Sequence, residues 1–522
     1  MAANAQQRSG GRTARKKLRA APLAEAVKPV RMGMAGGQYK PLSEADIAQI
    51  HSSVLEALES IGLSGVTPTA ARYCTAAGAE FRDGRLYFPR ALVEETIKNA
   101  NRDFTLCGRE LKHDLHPNGS KVHYGTAGAA VHIVDVESNS YRDSELLDLY
   151  NAARIVDQQE NIHFLQRPMV ARDMPTTLDL DINTLYACLA GTSKHVGTSV
   201  TVPENAGPIL DMLYQVAGSD EAFRSRPFVS TSICFVVPPM RFAKDACDVM
   251  EAMVEGGVPI LLLSAGQAGA TSPAALAGSV VQSVAEVLAG LVYVNAIKPG
   301  HPAIFGTWPF VSDLRTGAMS GGSGEQALLT SAVSQMAQFY DLPSGSAAGM
   351  SDSKTPDIQA GFEKGITTTL AGLSGLNMVY EAAGMHGSLM GFCLESLIID
   401  NDILGQALRT VRGIEVTPET LSLEAMREVC LGGPEHYLGT NQTLSLMQTE
   451  YVYPAIANRM SPKEWEEAQK PSLVAEAIKR KNRILSGHFP AHIPEELDTA
   501  LRKRFNILLP KSALQPPSAA RR

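Results

Sequence analysis

The sequence has few cysteines and no pattern that pairs them. No C-x-x-C spacing occurs, so we expect reduced, mostly buried thiols in a cytoplasmic protein rather than a disulfide framework. The seven cysteines stand at positions 74, 107, 188, 234, 247, 393 and 430. An excess of positive charge is also lacking, because the formal net charge is −7 at pH 7. This balance gives no support to nucleic-acid binding by the body of the chain.

An uninterrupted hydrophobic run long enough for a membrane helix is absent as well. The longest apolar stretch, 274–297, contains Gln282, Ser283 and Glu286. A membrane helix would have to bury all three in lipid, so we expect a helix packed against a sheet and no membrane association. The basic exception is the N-terminus, where the first 31 residues carry eight Lys and Arg against one acid, Glu25. This composition predicts a disordered tail over residues 1–35.

What the sequence does have is a regular alternation of short β-type runs and helical patterns. Strands that alternate with helices predict a parallel sheet covered by helices, and eight such units predict a (β/α)₈ TIM barrel. The alternative is an open doubly wound sheet, but no G-x-G-x-x-G follows any run. The eight runs are KVHYGTAG (121–128), IHFLQRPMV (162–170), HVGTSVTV (195–202), PFVSTSICFVV (227–237), VPILLLSAGQ (258–267), PAIFGTWPF (302–310), SGSAAGMSDS (344–353) and NMVYEAAGM (377–385).

The remaining chain divides around this predicted barrel. We expect an N-terminal α+β cap region over residues 36–118, the barrel over 119–400 and a helical C-terminal region over 401–510. Residues 511–522 are expected to be a loose tail.

Reactive residues of such a barrel lie at the C-terminal ends of the strands and in the loops that follow. This rule selects a mixed set of acids, bases, amides and rings: Tyr124, Arg167, Gln267, Trp308, Asp352, Glu381, His386 and Phe392. We predict no metal site. The histidines at 113, 116 and 123 precede the first strand or begin it, and no adjacent cysteines or His-x-Cys pair occurs.

Aromatic residues near strand ends are a more informative signal than the candidate metal ligands. Only two tryptophans occur, and Trp308 ends a strand, where burial alone favours Val or Ile. Tyr124 and Tyr380 also fall near strand ends, and Phe392 follows the last run. Ring faces around one opening suit a cation without N–H groups, because the ring quadrupole attracts a quaternary ammonium. The alternative is that these rings simply pack in the core.

Several long stretches resemble the trimethylamine methyltransferase family, which includes glycine betaine methyltransferases. They are AGQAGATSPAALAGSVVQSVAEVLAGLVYVNAIKPGHPAIFG (265–306), GMSDSKTPDIQAGFEK (349–364), NMVYEAAGM and LIIDNDILG (397–405), and the similarity extends from about residue 32 to 505. The resemblance implies a TIM barrel that passes a methyl group from its substrate to the cobalt of a corrinoid (cobalamin) carried by a separate protein. No tightly bound metal is expected on the chain itself.

The same resemblance narrows the substrate. Members that act on trimethylamine carry pyrrolysine, and this chain contains only the twenty common residues. The resemblance therefore favours a quaternary amine: glycine betaine first, which would yield dimethylglycine, then proline betaine or carnitine.

Roles follow for the selected residues. We expect Tyr124, Trp308 and Phe392 to form an aromatic wall, with Gln267 among the substrate-binding residues. Glu381 or Asp352 would balance the cation as the catalytic carboxylate, whereas His386 and Arg167 would bind the carboxylate of a betaine. Structural roles for the two acids, as helix caps or ion-pair partners, remain open.

Two other kinds of protein fit the same fold. One is a TIM-barrel lyase or aldolase that uses Lys354 for a Schiff base or Arg167 for a carboxylate. The other is a betaine-binding or scaffolding protein without turnover. In each case we expect a homo-oligomer, because large barrels often associate.

Overall fold

A computed structural model describes residues 24–516 of the chain. Most of the predicted basic tail and the end of the predicted C-terminal tail, residues 1–23 and 517–522, lie outside the described residues. Eight strands form the central sheet: β1 Lys121–Thr126, β2 Phe164–Gln166, β3 His195–Thr198, β4 Val229–Ile233, β5 Ile260–Ser264, β6 Ala303–Thr307, β7 Gly345–Ala347 and β8 Met378–Ala383. Each strand is followed by a helix: α1 Leu146–Asp157, α2 Thr177–Gly191, α3 Ala206–Ala217, α4 Lys244–Glu255, α5 Leu276–Ile297, α6 Gly324–Phe339, α7 Ile358–Leu373 and α8 Leu394–Arg412.

The central sheet closes into a barrel. Parallel pairing joins consecutive strands from β1 to β6, then β7 to β8, and β8 back to β1. The remaining gap is closed by a parallel bridge between Phe305 and Ser344, beside a hydrogen bond of 2.7 Å from the Phe305 N–H to the Pro343 carbonyl. A closed parallel sheet covered by helices is the geometry of a (β/α)₈ barrel, which confirms the predicted fold class.

Large apolar and aromatic side chains fill the barrel interior. Leu261, Ile304 and Tyr380 all approach the position that a Cβ on Gly345 would occupy, and the Phe164 ring lies against Gly125. The rings of Phe164 and Tyr380 contact edge to face, with centroids 5.0 Å apart. The lower part of the barrel is therefore a packed core, so ligands have access only from an end.

The long apolar helix α5 packs as predicted against the sheet. By length and composition it could span a membrane, but most of it is buried in the protein. Its Glu286 is fully buried and accepts hydrogen bonds from the Ser264 hydroxyl and the Met240 N–H. Burial raises the pKa of this carboxyl. Three N-terminal helices cover the outer side of α5: Glu44–Ser60, Pro68–Ala76 and Arg90–Asn99.

Two small sheets follow the C-terminal ends of the barrel strands. The first joins Gln267–Ala268, Phe310–Ser312 and Met319–Ser320; the second joins His132–Asp135, Ser140–Asp143, Met385–His386 and Gly391–Phe392. The other short strands are Met34–Ala35, which pairs with β1, Glu80–Arg82 with Arg85–Tyr87, and Val236–Val237 with Arg241–Phe242.

The C-terminal region is helical and partly wraps the barrel. Leu473–Gly487 packs on α8 and α1, and Glu495–Arg504 contacts α3. The other described helices are short: Asp220–Ser225, Leu423–Cys430, Asn441–Leu446, Pro462–Glu467, and the 3₁₀ turns Glu25–Val27, Leu111–His113, Pro203–Asn205 and Lys511–Leu514.

Candidate active site

Gln166 forms part of the barrel interior near its C-terminal end. Its Nε2 donates a hydrogen bond of 3.2 Å to the Ser232 hydroxyl on β4, across the neighbouring strand. A Cβ at position 197, on that neighbouring strand, would lie 1.9 Å from Gln166 Oε1, so a larger residue there would displace the Gln166 side chain. Oε1 itself is buried and has no partner among the described residues. A buried acceptor without a donor is costly, and it is typical of a site that binds a ligand or water.

Glu381 is the acid of the interior, and its backbone is strained. Its φ of 64° lies in the left-handed region, which costs a non-glycine residue about 1 kcal/mol or more and is frequent at functional sites. Oε1 accepts a hydrogen bond of 3.0 Å from the Gly128 N–H, whereas Oε2 is buried and has no partner within residues 24–516. Burial raises the pKa of this carboxyl to about 8, against the lowering effects of the Gly128 hydrogen bond and the Lys364 charge. Glu381 is therefore mainly protonated at neutral pH.

Four aromatic rings run from the barrel interior towards its C-terminal end. Above Phe164 and Tyr380, the Trp308 ring lies 5.4 Å from Tyr380, and Phe310 lies 6.2 Å from Trp308. Trp308 is 6% exposed and its Nε1 has no described partner. The expected position of Trp308 is therefore compatible with a ring that faces a ligand, and Phe310 and Phe164 are rings that the sequence analysis missed.

Arg167 follows β2 and is a cation without a partner. Its guanidinium makes no hydrogen bond or ion pair with any described residue, and its Nε is buried and unsatisfied. Burial lowers its pKa because the charge is desolvated, and the Asp181 carboxylate opposes this effect. That carboxylate is already bound by Thr201 and Asn205. A half-buried guanidinium at a strand end, with no partner among the described residues, is a natural binding group for an anion.

The ends of β3, β4 and β5 are open beside Arg167. Ser199, Ser232 and Ala265 are half-buried, and Cys234 is exposed. These small side chains leave space on one side of the barrel end, whereas Trp308 and Glu381 on the other side are buried. We infer an opening at this end of the barrel from the difference in exposure, and we call it the mouth cavity.

Tyr124 does not belong to the mouth cavity, which corrects the expected aromatic wall. Its side chain points outwards from β1, and its hydroxyl donates a hydrogen bond of 2.8 Å to the Thr368 carbonyl on α7. The residue is fully buried. Phe392 is fully buried too, and its ring packs over Gly384 rather than facing the cavity.

His386 lies outside the barrel, so the expectation that it binds a substrate carboxylate together with Arg167 is corrected. Its Nε2 is 2.7 Å from the Ser396 hydroxyl of α8, and burial holds its pKa well below the usual range. It lines a separate cavity of about 610 Å³ between α7 and α8. The charged groups deep in that cavity, Lys364 and Asp400, pair with each other at 2.6 Å.

Asp352 connects loops and does not offer a free carboxylate. It accepts hydrogen bonds from the Gly321 N–H at 2.7 Å, from the Ser320 hydroxyl at 2.6 Å and from the Ser388 hydroxyl. These donors follow β6 and β8, so Asp352 joins three loops, and the expected catalytic role is corrected to a structural one.

Gln267 accepts a hydrogen bond of 3.1 Å from Ser312 within the small sheet. It remains half-buried, so its predicted contact with substrate stays a prediction.

The described part of the chain, residues 24–516, contains no cluster of three or more His, Cys, Asp or Glu side chains arranged to hold a metal ion. His123 is buried at the start of β1, where its ring bonds the Asn377 carbonyl. The chemistry available in the mouth cavity therefore consists of ring faces, one protonated acid, one amide and one unpaired guanidinium.

Comparisons with known proteins show the family of the chain. A family profile described as "Trimethylamine methyltransferase (MTTB)" matches residues 8–506. The trimethylamine methyltransferase MttB of Desulfitobacterium hafniense is 30% identical over 472 residues, which cover 90% of this chain and 93% of that protein. The glycine betaine methyltransferase of Desulfitobacterium hafniense is 29% identical over 472 residues, covering 90% and 97%.

Among solved structures, the Methanosarcina barkeri monomethylamine methyltransferase MtmB matches with a TM-score of 0.49 and 10% identity, over 88% of this chain and 90% of that one. The sequence matches extend over nearly the whole chain. The chain therefore belongs to the trimethylamine methyltransferase family and is a methyltransferase.

Proposed function

We propose that the protein transfers a methyl group from a quaternary amine that carries a carboxylate, with glycine betaine as the preferred substrate. The acceptor is the Co(I) of a corrinoid carried by a separate protein, as the family resemblance implies. The observation that carries the choice of substrate is Arg167. Its guanidinium is half-buried and has no partner among the described residues, and Asp181, the acid whose charge acts on it, is held by other donors. A substrate carboxylate supplies the missing counter-charge.

The other side of the mouth cavity suits the cationic end of the same molecule. Trp308 and Phe310 present rings near the C-terminal end of the barrel, and a cation–π contact in a desolvated site contributes about 2 kcal/mol. A quaternary ammonium has no N–H to donate, so ring faces and one acid are sufficient to bind it. Glu381 is that acid, and its Oε2 has no other partner.

The reaction requires little proton transfer by side chains of the protein. The C–N bond of the substrate breaks, the electron pair stays on nitrogen, and a neutral tertiary amine leaves, so no general acid is needed. The chain's own residues bind the two charged ends, orient one methyl group towards the open end of the barrel and exclude water. The corrinoid supplies the nucleophile when its carrier protein docks there.

Two rival functions are less compatible with the site. Trimethylamine lacks a carboxylate and would leave Arg167 unpaired. A Schiff-base lyase needs a desolvated lysine, but Lys354 is exposed and its Nζ donates to the Asp352 carbonyl at 2.7 Å. The Lys364 amine is buried in an ion pair outside the barrel.

We also infer a cytoplasmic homo-oligomer. An apolar stripe on α7 supports association, because Ile358, Phe362 and Ile366 recur every four residues and are 88%, 56% and 51% exposed. Light scattering after size-exclusion chromatography measures the assembly directly. A monomer at micromolar concentration would contradict this inference.

Calorimetric titration of matched ligands tests the proposed substrate class. Glycine betaine and choline both carry a trimethylammonium group, but only glycine betaine has a carboxylate. A hydrogen bond to a charged group contributes about 1.5–3 kcal/mol, so glycine betaine should bind about 10- to 150-fold more tightly than choline. Arg167→Met should remove this difference without weakening choline. Proline betaine, carnitine and trimethylamine complete the panel. Equal binding of choline and glycine betaine by the unmodified enzyme would contradict the proposal.

A further inference from the structure

Cys234 directly follows β4, on the side of the strand that faces the barrel interior. Alternate residues of a strand point the same way, so Ser230, Ser232 and Cys234 share one face. The Ser230 hydroxyl lies 2.9 Å from His195 Nε2, and the Ser232 hydroxyl accepts from Gln166. Each step along this face therefore approaches the mouth cavity, and Cys234 is the last.

Cys234 is an exposed residue whose thiol is partly desolvated by the surrounding protein. The residue is exposed, yet burial raises the pKa of its thiol because protein surrounds it. Cys234 therefore lies at the barrel end with protein around part of it and accessible surface on the rest. The other exposed cysteine, Cys430, ends a surface helix at Leu423–Cys430.

Independent observations connect this thiol to the unpaired cation. Arg167 directly follows Gln166, whose Nε2 reaches the Ser232 hydroxyl two residues before Cys234, and the positive charge of Arg167 lowers the pKa of Cys234 against the effect of burial. Gln166, 5% exposed, has an unpartnered Oε1 in the same region. A polar atom that is buried without a partner, beside an unpaired guanidinium, points to a bound ligand at this place.

We propose that Cys234 contacts the carboxylate-bearing arm of the substrate beside Arg167, and that the side-chain size at position 234 sets the length of arm that the site accepts. This inference rests on the proposed function. A thiol is small and uncharged when protonated, so it borders a carboxylate without repelling it. A larger aliphatic side chain at the same position would fill the space that the arm occupies.

Protection from thiol labelling tests the contact. N-ethylmaleimide labelling is followed by peptide mass spectrometry at Cys234 and Cys430 in the same molecule. Glycine betaine at ten times its dissociation constant should slow labelling of Cys234 about tenfold and leave Cys430 unchanged. If calorimetry shows bound glycine betaine but Cys234 is labelled at its original rate, the contact is wrong and the proposed function still stands.

A second measurement does not depend on the substrate. Two methanethiosulfonate reagents modify the same thiol but differ in charge: one carries an anionic sulfonate and the other a cationic trimethylammonium group. The rate of modification by the anionic reagent is divided by the rate with the cationic reagent, at Cys234 and at Cys430. This ratio should be about tenfold higher at Cys234 than at Cys430, and Arg167→Met should abolish the difference. If no betaine binds, the proposed function fails. Absence of a charge preference overturns the placement of Cys234 beside Arg167.

Variants at position 234 test the control of arm length. Cys234→Ala should improve the ratio of carnitine to glycine betaine affinity several-fold, and Cys234→Leu should lower the affinity for both. Cys430→Ala is the matched control, with no change expected in either affinity. An unchanged carnitine to glycine betaine ratio in both Cys234 variants contradicts the role in specificity.

Discussion

Replacement of Glu381 by glutamine should abolish a pH dependence of substrate binding. In the empty enzyme, burial raises the pKa of this carboxyl to about 8, although the Gly128 hydrogen bond and the Lys364 charge lower it. The acid therefore carries its proton at neutral pH. A quaternary ammonium bound nearby stabilises the carboxylate, so cation binding releases a proton.

The size of the effect follows from the charges. Two unit charges about 4 Å apart attract by about 4 kcal/mol at an effective dielectric constant of about 20. One pKa unit corresponds to about 1.4 kcal/mol, so a cation at that distance lowers the pKa of Glu381 by about three units. The dissociation constant of glycine betaine should then fall about tenfold per pH unit between about pH 5 and 8, and level off above pH 8.

Isothermal titration calorimetry at several pH values measures this dependence. Buffers with different ionisation enthalpies also count the protons released, which should approach one per ligand near pH 7. Glu381→Gln, which keeps the shape and cannot ionise, should show a flat profile and the weaker affinity of the unmodified enzyme at low pH. A dissociation constant that is constant from pH 6 to 8, or an equal slope in the glutamine variant, would refute the reasoning.

The raised pKa of Glu381 should also make the stability of the empty enzyme depend on pH. A carboxyl whose pKa is raised on folding binds its proton more tightly in the folded state, so its contribution is complete below the usual pKa of 4.5 and is lost as pH rises towards about 8. The melting temperature of the unmodified enzyme should therefore fall relative to Glu381→Gln across that window. A constant difference between the two proteins would show that Glu381 is not desolvated.

Three substitutions test the corrected positions. His386→Ala should leave the KM for glycine betaine unchanged, and it should destabilise the fold by about 1–3 kcal/mol because the buried Ser396 hydroxyl loses its partner. Tyr124→Phe should cost about 1 kcal/mol of stability, through loss of the hydrogen bond to the Thr368 carbonyl, and no betaine affinity. Asp352→Ala should speed hydrogen exchange in the loops over 319–321 and 387–389, and lower turnover more than it lowers binding. A raised KM in either of the first two variants, or unchanged exchange in the third, would contradict these assignments.

The barrel could be predicted from the sequence because its signal is repeated. Each of the eight apolar runs contains one barrel strand, and each is followed by a helix. The direction of individual side chains could not be predicted, because strands of a parallel barrel are buried on both faces and show no polar alternation. Tyr124 and Phe164 look alike in sequence, yet Tyr124 contacts α7 and Phe164 faces the interior.

The positions of side chains in the loops after the strands were even harder to predict. Glu381 was selected from its place at a strand end, but its positive φ and the register shift between Val379 and Ala383 have no sequence signature. His386 lies five residues further, and the hairpin at Met385–His386 and Gly391–Phe392 turns it towards α8. The alternation of Ser230, Ser232 and Cys234 was a readable signal for the one accessible thiol near Arg167.

Methyl transfer from glycine betaine to Co(I) cobalamin is the most direct test of the account. The purified enzyme should decrease the absorbance of Co(I) cobalamin and produce one dimethylglycine for each cobalamin methylated. Arg167→Met should lower kcat/KM for glycine betaine about 10- to 150-fold. A Co(I) spectrum that stays unchanged with every carboxylate-bearing quaternary amine, or methylation that proceeds equally fast with choline, would contradict the account.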